Sequence, residues 1–338
     1  MSIFSDLQSA AARDAIRLHT PGHKGSLHEL DMTELVDGSF PSDSIERAQA
    51  NAAALYGARH CTFLACGSSQ GVKAAVYYAA KNGIVGANSH RSVFDGFTLS
   101  GKKCVSVGGR TDIMPITAAD IERALTPDIG VAVVTSPTYY GFCADLAAIR
   151  KLCDERGLLL IADGAHGAHF GSSPLLPESP SRYADICNLS AHKTLDALTQ
   201  GAFMLDNLND EDGKRLRAAA ELMGTTSPSY LLYSSVERGV TELFASDGKY
   251  AALYECVSAL RREFPFLKND DFTRLVLDCA AVGIPSKRLC DELCRRGVFA
   301  ELADERYIVF IVTAADSPLS LEKFGRVLGS SISKLGVK

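Results

Sequence analysis

The stretch Leu158-Leu159-Leu160-Ile161-Ala162-Asp163-Gly164-Ala165-His166-Gly167-Ala168-His169-Phe170 decides the architecture. Five consecutive apolar residues, 158–162, lie between Gly157 and the Asp163-Gly164 pair. The run is short, continuous and bounded by turn residues, which predicts a strand buried on both faces. A carboxylate at the end of such a strand is costly to bury unpaired. Three arrangements answer that cost: a metal held by Asp163, His166 and His169, a protonated ring nitrogen of a bound cofactor, or a structural salt bridge.

The same pattern recurs at 186–189, with Ser190-Ala191-His192-Lys193-Thr194 directly after it. Further short apolar runs occupy 61–65, 84–87, 104–107, 131–135 and 202–205. Between them, helical periodicity covers 42–54, with Ser42 as N-cap, and then 70–81, 92–99, 118–125 and 146–155. Alternation of buried strands with amphipathic helices predicts an α/β fold with a mostly parallel sheet and right-handed crossovers. After Ser229 the pattern changes. A helical stretch over 230–264 breaks near Ser246-Asp247-Gly248, and a β-α-β-α tail comes next: strand 272–277, helix 286–296, strand 307–312 and helix 319–335. The division expected is an N-terminal segment 1–39, a large domain 40–249 and a small α+β C-terminal domain 250–338.

Composition narrows the function classes. The chain has 338 residues, 46% hydrophobic and 22% charged, an ordinary globular balance that argues against disorder. Its 35 basic and 40 acidic residues give a net charge of −5 with no basic block, which argues against a nucleic-acid partner. No run approaches the ~20 apolar residues of a membrane helix. The N-terminus is polar and helical rather than signal-like, so the ten scattered cysteines read as free thiols in a reducing cytoplasm.

In parallel sheets, ligands sit beyond the C-terminal strand ends, so the residues after each strand are the place to look. After 61–65 comes Gly67-Ser68-Ser69-Gln70-Gly71, small residues opening a helix. This is a phosphate cradle or a plain helix cap, and it lacks the Lys of a Walker loop. After 84–87 comes Asn88-Ser89-His90-Arg91-Ser92, where His90 either meets a ligand ring or caps the next helix. After 131–135 comes Ser136-Pro137-Thr138-Tyr139-Tyr140-Gly141, whose tyrosines are packing or site walls. Lys193 is either an exposed lysine or a Schiff-base lysine whose neighbours lower its pKa.

Together these segments resemble the pyridoxal-phosphate-dependent ornithine/lysine/arginine decarboxylase family, of the aspartate-aminotransferase fold (fold type I). The resemblance is carried by Leu18-His19-Thr20-Pro21-Gly22-His23-Lys24, Gly67-Ser68-Ser69, His90-Arg91-Ser92, Ser136-Pro137-Thr138-Tyr139, Ala165-His166-Gly167-Ala168-His169-Phe170, Ser190-Ala191-His192-Lys193-Thr194-Leu195 and Thr226-Ser227-Pro228-Ser229-Tyr230, in the family's order. It implies pyridoxal 5'-phosphate as cofactor and decarboxylation of a basic amino acid. Lys193 would form the Schiff base, and Asp163 would keep the pyridine nitrogen protonated. His90 would stack on the ring, with Ala165 beneath it and His166 close by. Ser68, Ser69, Ser190 and His192 would hold the phosphate, and Lys193 or His192 would return a proton to Cα. No resident metal is implied, because a metal site leaves Lys193 and the Gly67–Ser69 loop without roles. A homodimer with the site near its interface is implied as well.

The chain departs from the family in three ways. Gly164 stands where the family usually has Glu. The wing domain and C-terminal extension of the large members are not expected here; the tail resembles only the small domain, with Gly283, a helix over 289–296 and Val298-Phe299-Ala300-Glu301 in place. The partner of the substrate carboxylate is unmarked; Arg274 is a candidate, but its reading as a surface strand residue is preferred. The Asp163–Lys193 apparatus also serves aminotransferases and other lyases, and a protein that holds the cofactor without turnover is the third alternative. Cys290 and Cys294, four apart on a helix, read as ordinary thiols.

Overall fold

The computed structural model describes residues 2–13, 15–33, 35, 43–108, 113–245 and 248–336. The proposed N-cap Ser42 and the helix break at Ser246-Asp247 lie outside them. After helices α1 (Ile3–Ala11) and α2 (Ser44–Tyr56), strands and helices alternate: β1 (His60–Leu64), α3 (Ser68–Ala79), β2 (Asn82–Gly86), α4 (Arg91–Ser100), β3 (Cys104–Val107), α5 (Ala118–Ala124), β4 (Ile129–Thr135), α6 (Leu146–Arg156) and β5 (Leu159–Asp163). Next come β6 (Ile186–Leu189), the single turn α7 (Ala191–Thr194), β7 (Ala202–Asp206), α8 (Asp210–Leu222) and α9 (Tyr230–Ala245).

These strands form one seven-stranded sheet in the order β1-β7-β6-β5-β4-β2-β3. Pairing is parallel from β6 through β3, whereas β7 runs antiparallel to both its neighbours. Successive residues of a strand point to opposite faces, and two apolar clusters show it. Leu64, Val85, Val133, Ile161 and Met204 pack under α3, α4 and α8, while Phe63, Ile84, Val134, Leu160 and Phe203 pack under α1, α2, α6 and α9. This is a mixed α/β fold with helices covering both faces of a mostly parallel sheet.

The tail consists of α10 (Lys249–Glu263), β8 (Arg274–Asp278), α11 (Ser286–Arg295), β9 (Leu302–Ala303), β10 (Tyr307–Ile311) and α12 (Pro318–Gly336). Its three strands pair antiparallel in the order β8-β10-β9 and enclose a third cluster with Leu253, Leu275, Leu293, Val312 and Leu328. The loop before β8 is tied to the large sheet's post-β4 loop, because the N–H groups of Asp270 and Asp271 both donate to the Gly141 carbonyl.

Candidate active site

The C-terminal ends of β1, β2, β4, β5 and β6 converge on one cavity of about 470 Å³. It brings together every residue assigned a cofactor role from the sequence: Ser68, Ser69, His90, Asp163, Ala165, His166, Ser190, His192 and Lys193. Gly67, Asn88, Thr135, Tyr139, Thr199 and Gln200 complete the lining.

One end of the cavity is an anion cradle. Gly67 adopts φ +74°, a left-handed conformation that glycine takes without strain, and turns the chain from β1 into α3. Among the described residues no side chain caps α3; the Gln70 N–H donates to the Gly67 carbonyl, and the positive dipole end of the helix faces the cradle. The helix begins two residues earlier than expected, and the capping role proposed for its serines is not taken up. Instead the buried Ser190 hydroxyl donates to Ser68 Oγ at 2.7 Å, joining the cradle to the turn after β6. His192 Nδ1 lies 2.9 Å from the Gly201 carbonyl, so Nδ1 carries a proton and the ring is pinned at the cavity wall. His90 is both a cap and a wall: its Nδ1 accepts from the Ser92 N–H at 3.2 Å while the residue lines the cavity.

The same cavity holds a carboxylate, an amine and a further imidazole. Asp163 ends β5 and pairs in register with Asn188 of β6. Its side chain is 3% exposed and accepts from the Ala165 N–H at 3.3 Å. Burial raises its pKa, and the Lys193 ammonium, the Ala165 N–H and His90 pull it back. Burial lowers the Lys193 pKa, Asp163 opposes that, and Arg274 pushes it down further. Lys193 Nζ is 3.1 Å from His166 Nε2. Burial holds His166 well below the ordinary histidine range, with Arg274 and Lys193 adding to the shift. A neutral His166 therefore accepts from Lys193 through Nε2, which leaves Nδ1 as a buried donor without a partner. Gly164 is packed against β6, where a Cβ would come within 2.9 Å of Leu189 Cδ2. Position 164 thus faces the sheet rather than the cavity lining.

The reading of Arg274 as a surface residue is incorrect. It is fully buried, and its Nε, Nη1 and Nη2 make no hydrogen bond to any described residue. The post-β4 loop covers it: a Cβ on Gly141 would come within 2.8 Å of Arg274 Cβ. Its charge reaches both Lys193 and His166. Glu301, which the sequence marks only as part of a small-domain motif, accepts from the Tyr139 hydroxyl at 2.6 Å and acts electrostatically on Lys193 and Arg274. Tyr139 in turn meets His166 edge-on at 4.8 Å, which makes it a site wall. The His19–Lys24 segment does not line this cavity; its His23 Nε2 lies 3.2 Å from Asp31 Oδ2. Asp163, His166 and His169 do not converge as metal ligands, and no such cluster of three occurs among the described residues. His169 Nε2 faces Asp271 and Thr273 instead.

These residues fit pyridoxal 5'-phosphate: a half-buried lysine for its aldehyde, a buried carboxylate for its ring nitrogen, and an uncapped helix end with hydroxyls for its phosphate. Fold and site define a pyridoxal-phosphate-dependent enzyme of fold type I. The chain belongs to the Orn/Lys/Arg decarboxylase family, whose major domain it matches over residues 27–262. It is 30% identical to the uncharacterized protein YaaO of Bacillus subtilis, over 92% of this chain and 73% of that one. It is 29% identical to an arginine decarboxylase of Halalkalibacterium halodurans, over 73% of this chain and 56% of that one. Among solved structures, lysine decarboxylase A from Pseudomonas aeruginosa superposes with a TM-score of 0.78 at 17% identity, over 97% of this chain and 59% of that one. The chain therefore spans little more than half the length of these two decarboxylases.

Proposed function

We propose that this protein is a pyridoxal-phosphate-dependent decarboxylase of a basic amino acid: arginine, lysine or ornithine. The observation that carries the proposal is the Asp163–Lys193 pair facing one cavity at the ends of adjoining strands; the Arg274 guanidinium, behind the cavity lining and without a hydrogen bond to any described residue, acts electrostatically on Lys193. When bound, the cofactor supplies an aldehyde that condenses with amines and a ring that accepts the electron pair released at Cα.

Every other part of the chemistry falls to this chain. Asp163 holds a proton on the ring nitrogen, and its burial strengthens that contact. Lys193, with its ammonium disfavoured by burial, reaches the neutral amine needed for exchange with a substrate amine. Neutral His166 accepts a hydrogen bond from Lys193 and orients its amine, and Lys193 returns a proton to Cα once CO₂ has left. Ser68, Ser69, Ser190 and the α3 terminus hold the phosphate. Arg274 binds and orients the substrate carboxylate, since a buried guanidinium without a partner is an anion receptor. Glu301, an acid beside the cavity on the Tyr139 hydroxyl, reads the distal cation of the side chain.

The active unit is proposed to be a homodimer: Ile16 and Leu18 are each 89% exposed and Leu27 84%, beside the His19–Lys24 motif. Its domains take the division 1–39, 40–249 and 250–338. All ten cysteines are unpaired, which supports a reducing cytoplasm as its compartment. The test is to load the protein with pyridoxal phosphate, incubate it with an amino-acid panel and identify the products by mass spectrometry. An amine formed by loss of CO₂ is the expected result. A keto acid or an elimination product would assign the same site to an aminotransferase or another lyase, and no product would assign it to cofactor holding.

A further inference from the structure

Arg274 poses a physical problem. A buried guanidinium next to a buried carboxylate normally forms a bidentate ion pair. Asp271 lies three residues before Arg274, is fully buried and is the leading opposite charge acting on it. Yet among the described residues the Arg274 guanidinium has no hydrogen-bond partner, and Asp271 Oδ2 has none either.

The explanation lies on the other side of Asp271. Its Oδ1 accepts from the Thr273 hydroxyl at 2.6 Å and from the Thr273 N–H at 2.9 Å. His169 Nε2, 1% exposed, approaches the same oxygen at 3.3 Å and Thr273 Oγ1 at 3.1 Å. His169 comes from the loop after β5, three residues past His166, so the contact joins the cofactor loop to the strand that carries Arg274. A neighbouring bridge ties the post-β4 loop to the same strand: Asn269 Nδ2 donates to the Tyr140 carbonyl at 2.7 Å and to the Arg274 carbonyl at 2.8 Å.

We infer that His169 and Thr273 are positioning residues that hold Asp271 away from Arg274, so that the guanidinium stays open for an amino-acid carboxylate. The inference rests on the proposed role of Arg274. Asp271 has two tasks in this arrangement. Its negative charge offsets part of the penalty of burying Arg274. Its restrained direction keeps it from occupying the receptor it stabilises. Without the imidazole donor, Asp271 turns to Arg274 and competes with the substrate carboxylate.

The experiment compares matched ligands that differ only in the α-carboxylate: arginine with agmatine, lysine with cadaverine, and ornithine with putrescine. Affinities of the cofactor-loaded protein are read from the cofactor absorbance within milliseconds of mixing, before turnover. His169→Phe is expected to weaken amino-acid binding at least tenfold and amine binding less than twofold. His169→Gln, which keeps a donor, is expected to recover most of the loss. Adding Asp271→Asn to His169→Phe is also expected to recover it, because the competing carboxylate is gone. If His169→Phe does not fold, Thr273→Val removes the other donor at nearly constant volume and is expected to give the same selective loss. Equal weakening of both ligands, no weakening, or no rescue by Asp271→Asn overturns the inference. Arg274→Met separates it from the reading beneath it. If that variant leaves the preference for amino acid over amine intact, the anchor assignment itself is wrong. If it removes the preference while His169→Phe has no effect, only the positioning role fails.

Discussion

Replacing Arg274 by methionine should move stability and activity in opposite directions. The side chain is fully buried and none of its three guanidinium nitrogens has a partner. Methionine fills much of the same volume without a charge, and removing a buried charge that makes no hydrogen bond relieves a desolvation penalty of several kcal/mol, part of which is offset by the lost attraction to Asp271. Asp271 does not become an orphan in the variant, because the Thr273 hydroxyl and N–H still donate to it. A gain of about 2 kcal/mol in a chain of this size raises the thermal midpoint by roughly 3 °C. In the same variant the substrate carboxylate loses a charge-assisted contact worth about 3–5 kcal/mol, which lowers kcat/KM on the order of 10²- to 10⁴-fold. Circular dichroism melting of the cofactor-loaded protein measures the first effect; the chain has no tryptophan, so the cofactor's own absorbance is a clean second probe. Initial rates on the best amino acid measure the second. A variant that melts lower and keeps its kcat/KM would refute the reasoning, since Arg274 would then be a structural residue with partners the geometry does not show.

Lys193→Ala should abolish borohydride trapping of the cofactor, checked by mass spectrometry of a peptide digest; a trapped adduct on another lysine would reassign the nucleophile. Asp163→Asn should cut kcat by at least about 10²-fold, the order expected when a positioned charge is removed from a buried site, while the cofactor still binds; unchanged turnover would give the acid another role. Gly71→Ala places a Cβ 2.1 Å from Asn188 Oδ1 and 2.7 Å from Leu64 Cδ1. Overpacking of this kind costs about 1–3 kcal/mol, so a thermal midpoint equal to the parent's would contradict the packing of α3 on β6. Burial raises the Asp271 carboxyl, but His169, Arg274 and Thr273 outweigh it and bring it down to about 2. A depressed acid lends stability that is present above its unfolded pKa near 4 and is lost as pH falls toward 2. Denaturant titrations between pH 5 and 2 should therefore show a flatter acid limb for Asp271→Asn than for the parent.

The parallel core was legible because its strands are short, mostly apolar runs closed by turns, and the residues after those runs form most of the cavity. Strand direction was not legible, since Ala202–Asp206 reads the same either way. Its antiparallel course matters, because the loop entering β7, not the one leaving it, meets the cavity. Thr199 and Gln200 were missed for that reason: they precede a strand, whereas the ligand groups of a parallel sheet come after one. Helix α8 was missed because its buried stripe is Gly213, Leu216, Ala219 and Ala220, small residues that barely register among Asp210, Glu211, Asp212, Lys214 and Arg215.

Arg274 and Glu301 show a different limit. Local pattern places Arg274 at the start of a strand, where a charged residue normally reaches solvent. Its burial comes from residue 141, and the position of Glu301 from Tyr139, both far away in sequence. The groups that hold the cofactor come directly after strands whose pattern announces them. The groups proposed to meet the substrate are Arg274 at the start of β8 and Glu301 just before β9, aimed by long-range contacts such as Tyr139 on Glu301 and Asn269 on Tyr140. Cofactor class is accordingly a local property of this chain, readable segment by segment. Substrate choice is a property of how the two sheets are held together, and substitutions at the junction should alter it without touching Lys193 or Asp163.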